Sequence, residues 1–218
     1  MKKILQKHKT LWSQKAFLYS TIAGILLFFA SLAVNHITIA YAATHVSNMV
    51  TDLFLNNLPV VNVDIIVVDG AYLFLFILLA IMFRRPHSIP FMLKSIALFV
   101  LIRALFTTLT HLAPPYPHAL LDHTLPKYFT SGYDLFFSGH TGLPFLMALI
   151  FWQIFSLRYF FLVSSFIAGG AVLLGHLHYS IDVFSAFFIT YGIFKICERI
   201  FKNDYKLLLS ESPSLNDQ

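Results

Sequence analysis

Apolar residues fall in six runs, and short polar breaks separate them. The first begins at Ala16 and reaches Val34, extending as far as Ala43. Residues 45–63 mix polar and apolar positions around Asn56-Asn57-Leu58-Pro59, and Pro59 argues against a continuous helix there. The second run spans Asp64–Phe83 and stops at Arg84-Arg85-Pro86-His87. The third spans Ile89–Leu112 and carries Lys94 and Arg103. A linker, 113–135, holds Pro114, Pro115, Pro117 and Pro126 with His118 and His123. The fourth run spans Ser138–Phe155, the fifth Tyr159–Leu177 and the sixth His178–Ile200. Runs of this length and polarity are expected to be membrane-spanning helices. The expected architecture is therefore all-α and polytopic, with a basic N-terminus over 1–15, a six-span domain over 16–200 and a disordered tail over 201–218.

Composition agrees. The 218 residues are 58% hydrophobic and 11% charged, against about a quarter charged in soluble domains. Mean hydropathy is +0.74. The single cysteine, Cys197, excludes an internal disulfide. The basic flank, the first run and Ala40-Tyr41-Ala42 also fit a cleaved signal peptide, but the run is long for one, so an uncleaved first helix is preferred.

Charge sets the orientation. With the N-terminus in the cytoplasm, Lys2, Lys3, Lys7, Lys9, Lys15, Arg84, Arg85, Arg158, Lys195, Arg199, Lys202 and Lys206 all lie on that side, against Lys127 alone on the other. Both termini are then expected to be cytoplasmic. The net charge of +5 reflects this bias and does not call for a nucleic-acid partner. In this arrangement Arg103, His140, His178 and Asp182 converge in the outer half of the bilayer from three separate spans. Lys94 falls at the cytoplasmic end, where its ammonium is expected to snorkel.

These residue types suit phosphoryl transfer. His178 and Asp182 stand four apart, which on a helix gives one face. The carboxylate can hold the imidazole tautomer and leave Nε2 as nucleophile or base. Ser138 reads as an N-cap, leaving the amides of Gly139, His140 and Thr141 to face an anion. His140 is a second titratable group, and Arg103 offers a guanidinium fork to phosphate oxygens. Zinc held by His140, His176, His178 and Asp182 is the chemical rival, but positions 176 and 178 diverge on a helix. An Arg103 pairing with Asp64 or Asp69 is the structural alternative, and His111, His118, His123 and His176 read as interfacial polar groups.

Phe137-Ser138-Gly139-His140-Thr141, with Asp134 upstream, resembles the third signature motif of the sphingomyelin synthases. His178-Tyr179-Ser180-Ile181-Asp182-Val183 resembles their fourth. That branch lies within the type 2 phosphatidic acid phosphatase superfamily. The resemblance implies six spans and an outward-facing site. It makes His178 the nucleophile, Asp182 its partner and His140 the acid and base. Arg103, Asp134, Ser138, Gly139, Thr141 and Tyr179 fall on the substrate side. It implies no metal or other cofactor. The expected reactants are a phospholipid donor and a lipid alcohol acceptor; with water as acceptor the protein is a lipid phosphate phosphatase. A non-enzymatic lipid-binding or transport protein is the remaining class. The chain departs from the synthase motif at Gly132-Tyr133, where a Cys-Gly pair is usual, and at Phe106. It departs further from ordinary lipid phosphatases: Lys94 precedes Arg103 by nine residues, and Ala171 and Val172 replace Ser-Arg. Met-Lys-Lys-Ile-Leu and the compact length favour a bacterial inner membrane with a periplasmic site; a eukaryotic protein of this type would sit in the Golgi or plasma membrane.

Overall fold

The computed structural model describes residues 2–119 and 134–210. The expectations for Pro126, His123, Lys127, Gly132, Tyr133 and 211–218 lie outside the described residues. The elements are all helical: α1 (Lys2–Trp12), α2 (Lys15–Thr44), α3 (Gly70–Arg84), α4 (Ile89–Thr110), α5 (Gly139–Ile150), α6 (Phe155–Leu174), α7 (Ser180–Ile200) and α8 (Lys202–Leu209). A π-helical turn, Ile65–Asp69, leads into α3, and a short 3₁₀ turn, Pro86–Ser88, leads into α4.

Five helical segments are long and apolar enough to cross a membrane: Lys15–Thr44, Ile65–Arg84, Pro86–Thr110, Phe155–Leu174 and Ser180–Ile200. The protein is thus an all-α, multi-pass membrane protein by length and composition. The fourth expected span differs. Over Ser138–Phe155 the helix covers only the 12 residues Gly139–Ile150. At 1.5 Å per residue that is about 18 Å, against a hydrocarbon core of about 30 Å. Hydropathy could not reveal the break, because Phe151-Trp152-Gln153-Ile154 carries no glycine or proline. The turn closes on its own backbone through Phe151 N–H to Met147 O (3.0 Å) and Ile154 N–H to Phe151 O (2.9 Å). Arg158 then stacks over Tyr159 at 4.9 Å and donates to the Trp152 carbonyl.

A short helix is tolerable at this depth because protein, not lipid, surrounds it. Every residue from Leu146 to Ile150 is buried. α5 packs between α6 and α7, α2 lies along α4, and α4 also meets α5 and α7. The core joins Phe91, Phe99, Leu146, Phe161, Ile193 and Phe194 across these helices. Gly142 makes the α4–α5–α7 junction possible. A Cβ there would stand 2.8 Å from a Phe99 ring carbon and 2.8 Å from Thr190 Oγ1.

Two further helices lie at the chain ends. The basic N-terminus folds as α1, with Leu11 buried. The tail expected to be disordered from 201 is helical through Leu209. Its Asp204 reaches Lys94, so this lysine does not snorkel. Lys94 Nζ donates to Asp204 Oδ2 (2.6 Å) and to Ser20 Oγ (2.6 Å), and Ser20 Oγ donates to Asp204 Oδ1 (2.5 Å). This triad ties α2, α4 and α8 at the end opposite the histidines.

Replacing Asp204 with Ala would leave the Lys94 ammonium largely buried without its counter-ion. The expected cost is about 3 kcal/mol, since a stranded charge is worse than no pair at all. Thermal unfolding of the detergent-solubilised protein should show a clear loss for Asp204→Ala, and a Lys94→Met/Asp204→Leu double variant should recover much of it.

Candidate active site

The C-terminal part of α4 and the N-termini of α5 and α7 meet at one end of the bundle. Ser138 N–H donates to the Asp182 carbonyl at 3.0 Å, which locks the start of α5 against the first turn of α7. The His140 and His178 rings face each other here, with centroids 6.2 Å apart. His178 is buried at 4% exposure, Asp182 is fully buried, and His140 is only partly buried.

Ser138 is the N-cap of α5. Its Oγ accepts from Thr141 N–H (3.4 Å) and from the Thr141 hydroxyl (3.2 Å). Of the three amides expected to face an anion, Thr141's is therefore taken, and Gly139 and His140 supply the rest of the first turn. Thr141 is fully buried, and its carbonyl accepts from Ser165 Oγ at 2.7 Å, so it acts within the helix packing.

The His178–Asp182 pair forms differently from the expected helical face. α7 begins at Ser180 with Tyr179 as N-cap, so His178 stands outside the helix. Asp182 is the third residue of α7, and its Oδ2 accepts from Tyr179 N–H at 3.0 Å. The same oxygen lies 3.5 Å from His178 Nδ1. The capping carboxylate and the histidine meet because the chain folds back at the helix start. At 3.5 Å the pair is about half an ångström beyond a good hydrogen bond. His178 Nδ1 and Asp182 Oδ1 are both buried without a hydrogen-bond partner. Buried orphans of this kind are costly, and a small closing movement would satisfy the histidine.

Arg103 is buried at 8% exposure and faces the segment before α5. Nε donates to Phe137 O (2.7 Å), Nη1 to Asp134 Oδ2 (2.6 Å), and Nη2 to the Asp134 carbonyl. Neither Asp64 nor Asp69 is its partner. Gly139 sits directly on the guanidinium, where a Cβ would lie 3.3 Å from Nε. Arg103 and Asp134 thus hold the approach to His140 in place, with Asp134 the more exposed of the two.

Tyr179 is 1% exposed, and its hydroxyl is turned onto the loops. It donates to Ala113 O at 2.8 Å and accepts from Val50 N–H at 3.4 Å. It braces two connections and does not present its hydroxyl at the histidine pair. Asp52, which the sequence reading did not single out, and His176 do similar work. Asp52 takes Ser180 N–H at 2.6 Å on one oxygen, and Phe54 and Leu55 N–H at 2.9 and 3.1 Å on the other. It caps α7 from a distant loop. The one sequence signal was that Asp52 is the first acidic residue in the chain. His176, read as merely interfacial, adopts φ 51° and is buried. Its ring nitrogens lie 3.1 Å from Pro117 O and 3.2 Å from Leu58 O. Among the described residues no group of three His, Cys, Asp or Glu side chains is placed to hold a metal ion.

Burial alone would raise the Asp52 pKa, but the hydrogen bonds from Ser180, Leu55 and Phe54 outweigh it and hold the carboxyl below its usual 3.8. A lowered folded-state pKa adds stability that is present above about pH 4 and lost as pH falls below it. Asp52→Asn should cost about 1–2 kcal/mol at neutral pH by weakening the remote cap. Its unfolding temperature should also fall less steeply than that of the wild type as pH drops from about 5 to about 3. Parallel slopes would exclude an ionised Asp52 as the cap.

The stretch that carries this geometry has a recognisable relative at the family level. No curated protein and no solved structure matches the chain. Residues 133–199, which include His140, His178 and Asp182, match the family described as PAP2 superfamily C-terminal.

Proposed function

We propose that this protein is an integral-membrane phosphotransferase that moves a phospho-headgroup from a phospholipid to a lipid alcohol through a phosphohistidine. The observation that carries the reading is the buried His178, with Asp182 behind Nδ1 and His140 across from it. The family match over 133–199 supports lipid phosphotransfer or phosphatase chemistry in general. The closer likeness of the two motifs to the sphingomyelin synthases favours transfer over hydrolysis.

In this mechanism His178 Nε2 attacks the donor phosphorus while Asp182 stabilises the developing imidazolium through Nδ1. The bond from phosphorus to the diacylglycerol oxygen breaks, and His140 gives that oxygen its proton. In the second step His140 takes the proton of the acceptor hydroxyl. The acceptor oxygen attacks phosphorus, and His178 leaves as free imidazole. The first-turn amides of α5 and the positive ends of α5 and α7 favour the phosphoryl charge. Arg103 acts through the 134–137 segment and, once Asp134 shifts, directly on a phosphate oxygen. The reading includes six spans, α5 being the short fourth, and both termini on the cytoplasmic side. It places the histidines in the outer leaflet, periplasmic in a bacterial inner membrane.

The test is a product assay on purified protein in mixed lipid. Phosphatidylcholine and phosphatidylethanolamine serve as donors, labelled ceramide and diacylglycerol as acceptors, and a lipid phosphate runs in parallel. A new labelled phospholipid establishes transfer; free phosphate or free phospho-headgroup makes the protein a hydrolase. His178→Ala should lower turnover by roughly 10⁴-fold or more, and Asp182→Asn by about 10⁴-fold, with folding retained. Activity undiminished in His178→Ala would exclude the covalent route.

A further inference from the structure

A second pair of histidines meets where α2 and α4 end. Each helix has a histidine as its C-cap, His45 after Thr44 and His111 after Thr110. The two helices pack along each other, and Ser47 N–H donates to the His111 carbonyl at 2.8 Å. The rings of His45 and His111 lie 5.9 Å apart between centroids, tilted by 34°. Tyr41 flanks both, stacked on His45 at 4.1 Å and edge-on to His111 at 5.2 Å.

The hydrogen bonds decide what each ring can offer. His45 Nδ1 lies 2.9 Å from Tyr41 O. A carbonyl oxygen only accepts, so Nδ1 carries the proton and donates it. The Thr44 hydroxyl, 3.0 Å from the same nitrogen, gives its own proton to Tyr41 O at 2.8 Å. Nε2 of His45 therefore keeps a lone pair, on an exposed side chain. A backbone carbonyl on the far nitrogen is the usual outer partner of a metal-ligating histidine, because it fixes the tautomer and the ring. His111 Nε2 is buried and has no hydrogen-bond partner. Either tautomer leaves that nitrogen unsatisfied, which is costly. The backbone of His111 adopts φ 44°, a helix ending for which glycine or asparagine is the common choice. The turn itself thus has no need of an imidazole.

We propose that His45 and His111 form a binding site for a divalent transition-metal ion of the zinc class. Two imidazoles bound to one zinc at about 2.0–2.1 Å hold their centroids roughly 5–6.5 Å apart. The observed 5.9 Å falls in that range. Both ligands cap helix C-termini, where the helix dipole favours a cation. Solvent completes the shell on the side of the exposed His45, and a small movement of that ring admits the ion. Magnesium and calcium prefer oxygen ligands and do not suit it. The site shares no residue with the His140 and His178 pair and does not depend on the reaction assigned to them. A bound ion would clamp α2 to α4 where the connections that hold Tyr179 through Val50 and Ala113 begin.

The test uses tag-free, full-length protein in detergent, stripped with a chelator. Zinc chloride and magnesium chloride are the probes, and isothermal titration calorimetry and thermal unfolding are the readouts. Zinc should bind and raise the unfolding temperature, and magnesium should do neither. His45→Phe keeps a ring against Tyr41, and His111→Asn keeps a residue that tolerates the left-handed turn. Each should lower zinc affinity by at least about tenfold, and His178→Ala should leave it unchanged. Should one of the two variants fail to fold, the other carries the same comparison. Zinc binding that survives in His45→Phe and His111→Asn but is lost in His178→Ala would place the ion at the other histidine pair and overturn the proposal. An equal response to magnesium, or no zinc binding by the wild type, would overturn it too.

Discussion

Two helix N-termini lie side by side at the histidine end, joined by the hydrogen bond from Ser138 N–H to the Asp182 carbonyl. Each carries roughly half a positive charge from its aligned peptide dipoles, and Arg103 adds a full one. Left alone, this convergence would push α5 and α7 apart. Three carboxylates compensate it: Asp182 on the Tyr179 amide, Asp52 on the Ser180 amide and Asp134 on Arg103. The compensation is distributed so that one helix is capped from within and from a loop, while the arginine is covered by a carboxylate from the preceding segment. A phosphate that displaces Asp134 would meet a region already built to hold negative charge. The charge balance that allows the fold is thus compatible with the phosphate-bearing substrate we propose.

The turn from Leu174 to Ser180 carries the second half of the site, and both described loops hang on it. Val61 N–H reaches Leu174 O at 2.9 Å, and Ala119 N–H reaches Gly175 O at 2.9 Å. His176 lies between Leu58 O and Pro117 O, and Tyr179 between Val50 and Ala113. His178 is the side chain in this turn that remains to face His140. In the proposed mechanism this bracing would position His178, which stands outside α7. At the other end the Lys94, Asp204 and Ser20 triad performs the corresponding duty for α2, α4 and α8.

The long apolar runs and the polar borders that bound them were legible in the sequence, because hydropathy and charge respond to the same membrane constraint that shapes the fold. The juxtaposition of Arg103, His140, His178 and Asp182 followed from alternating the runs across a bilayer. The length of α5 was not legible: Phe151-Trp152-Gln153-Ile154 carries neither glycine nor proline to mark the helix end. Nor was the break between His178 and α7, since Tyr179 caps the helix with neither glycine nor proline to announce it. Asp52's tie to Ser180 and the bracing role of His176 escaped because those partners lie more than fifty residues away in sequence. Their roles depend on where the loops come to rest, which local pattern does not encode.

In the mechanism we propose, whether a phosphohistidine meets a lipid alcohol or water depends on access more than on the histidines, which would serve either acceptor. His178 is 4% exposed, and Tyr179, Ser138 and Asp182 around it are more deeply buried still. His178 is covered on the side of the described loops by the same contacts that position it. His140 is the more open of the pair. In the proposed mechanism an acceptor hydroxyl would approach past His140, the group assigned to take its proton. In the proposed transfer, a lipid alcohol delivered there from the bilayer would cover the opening with its own chains.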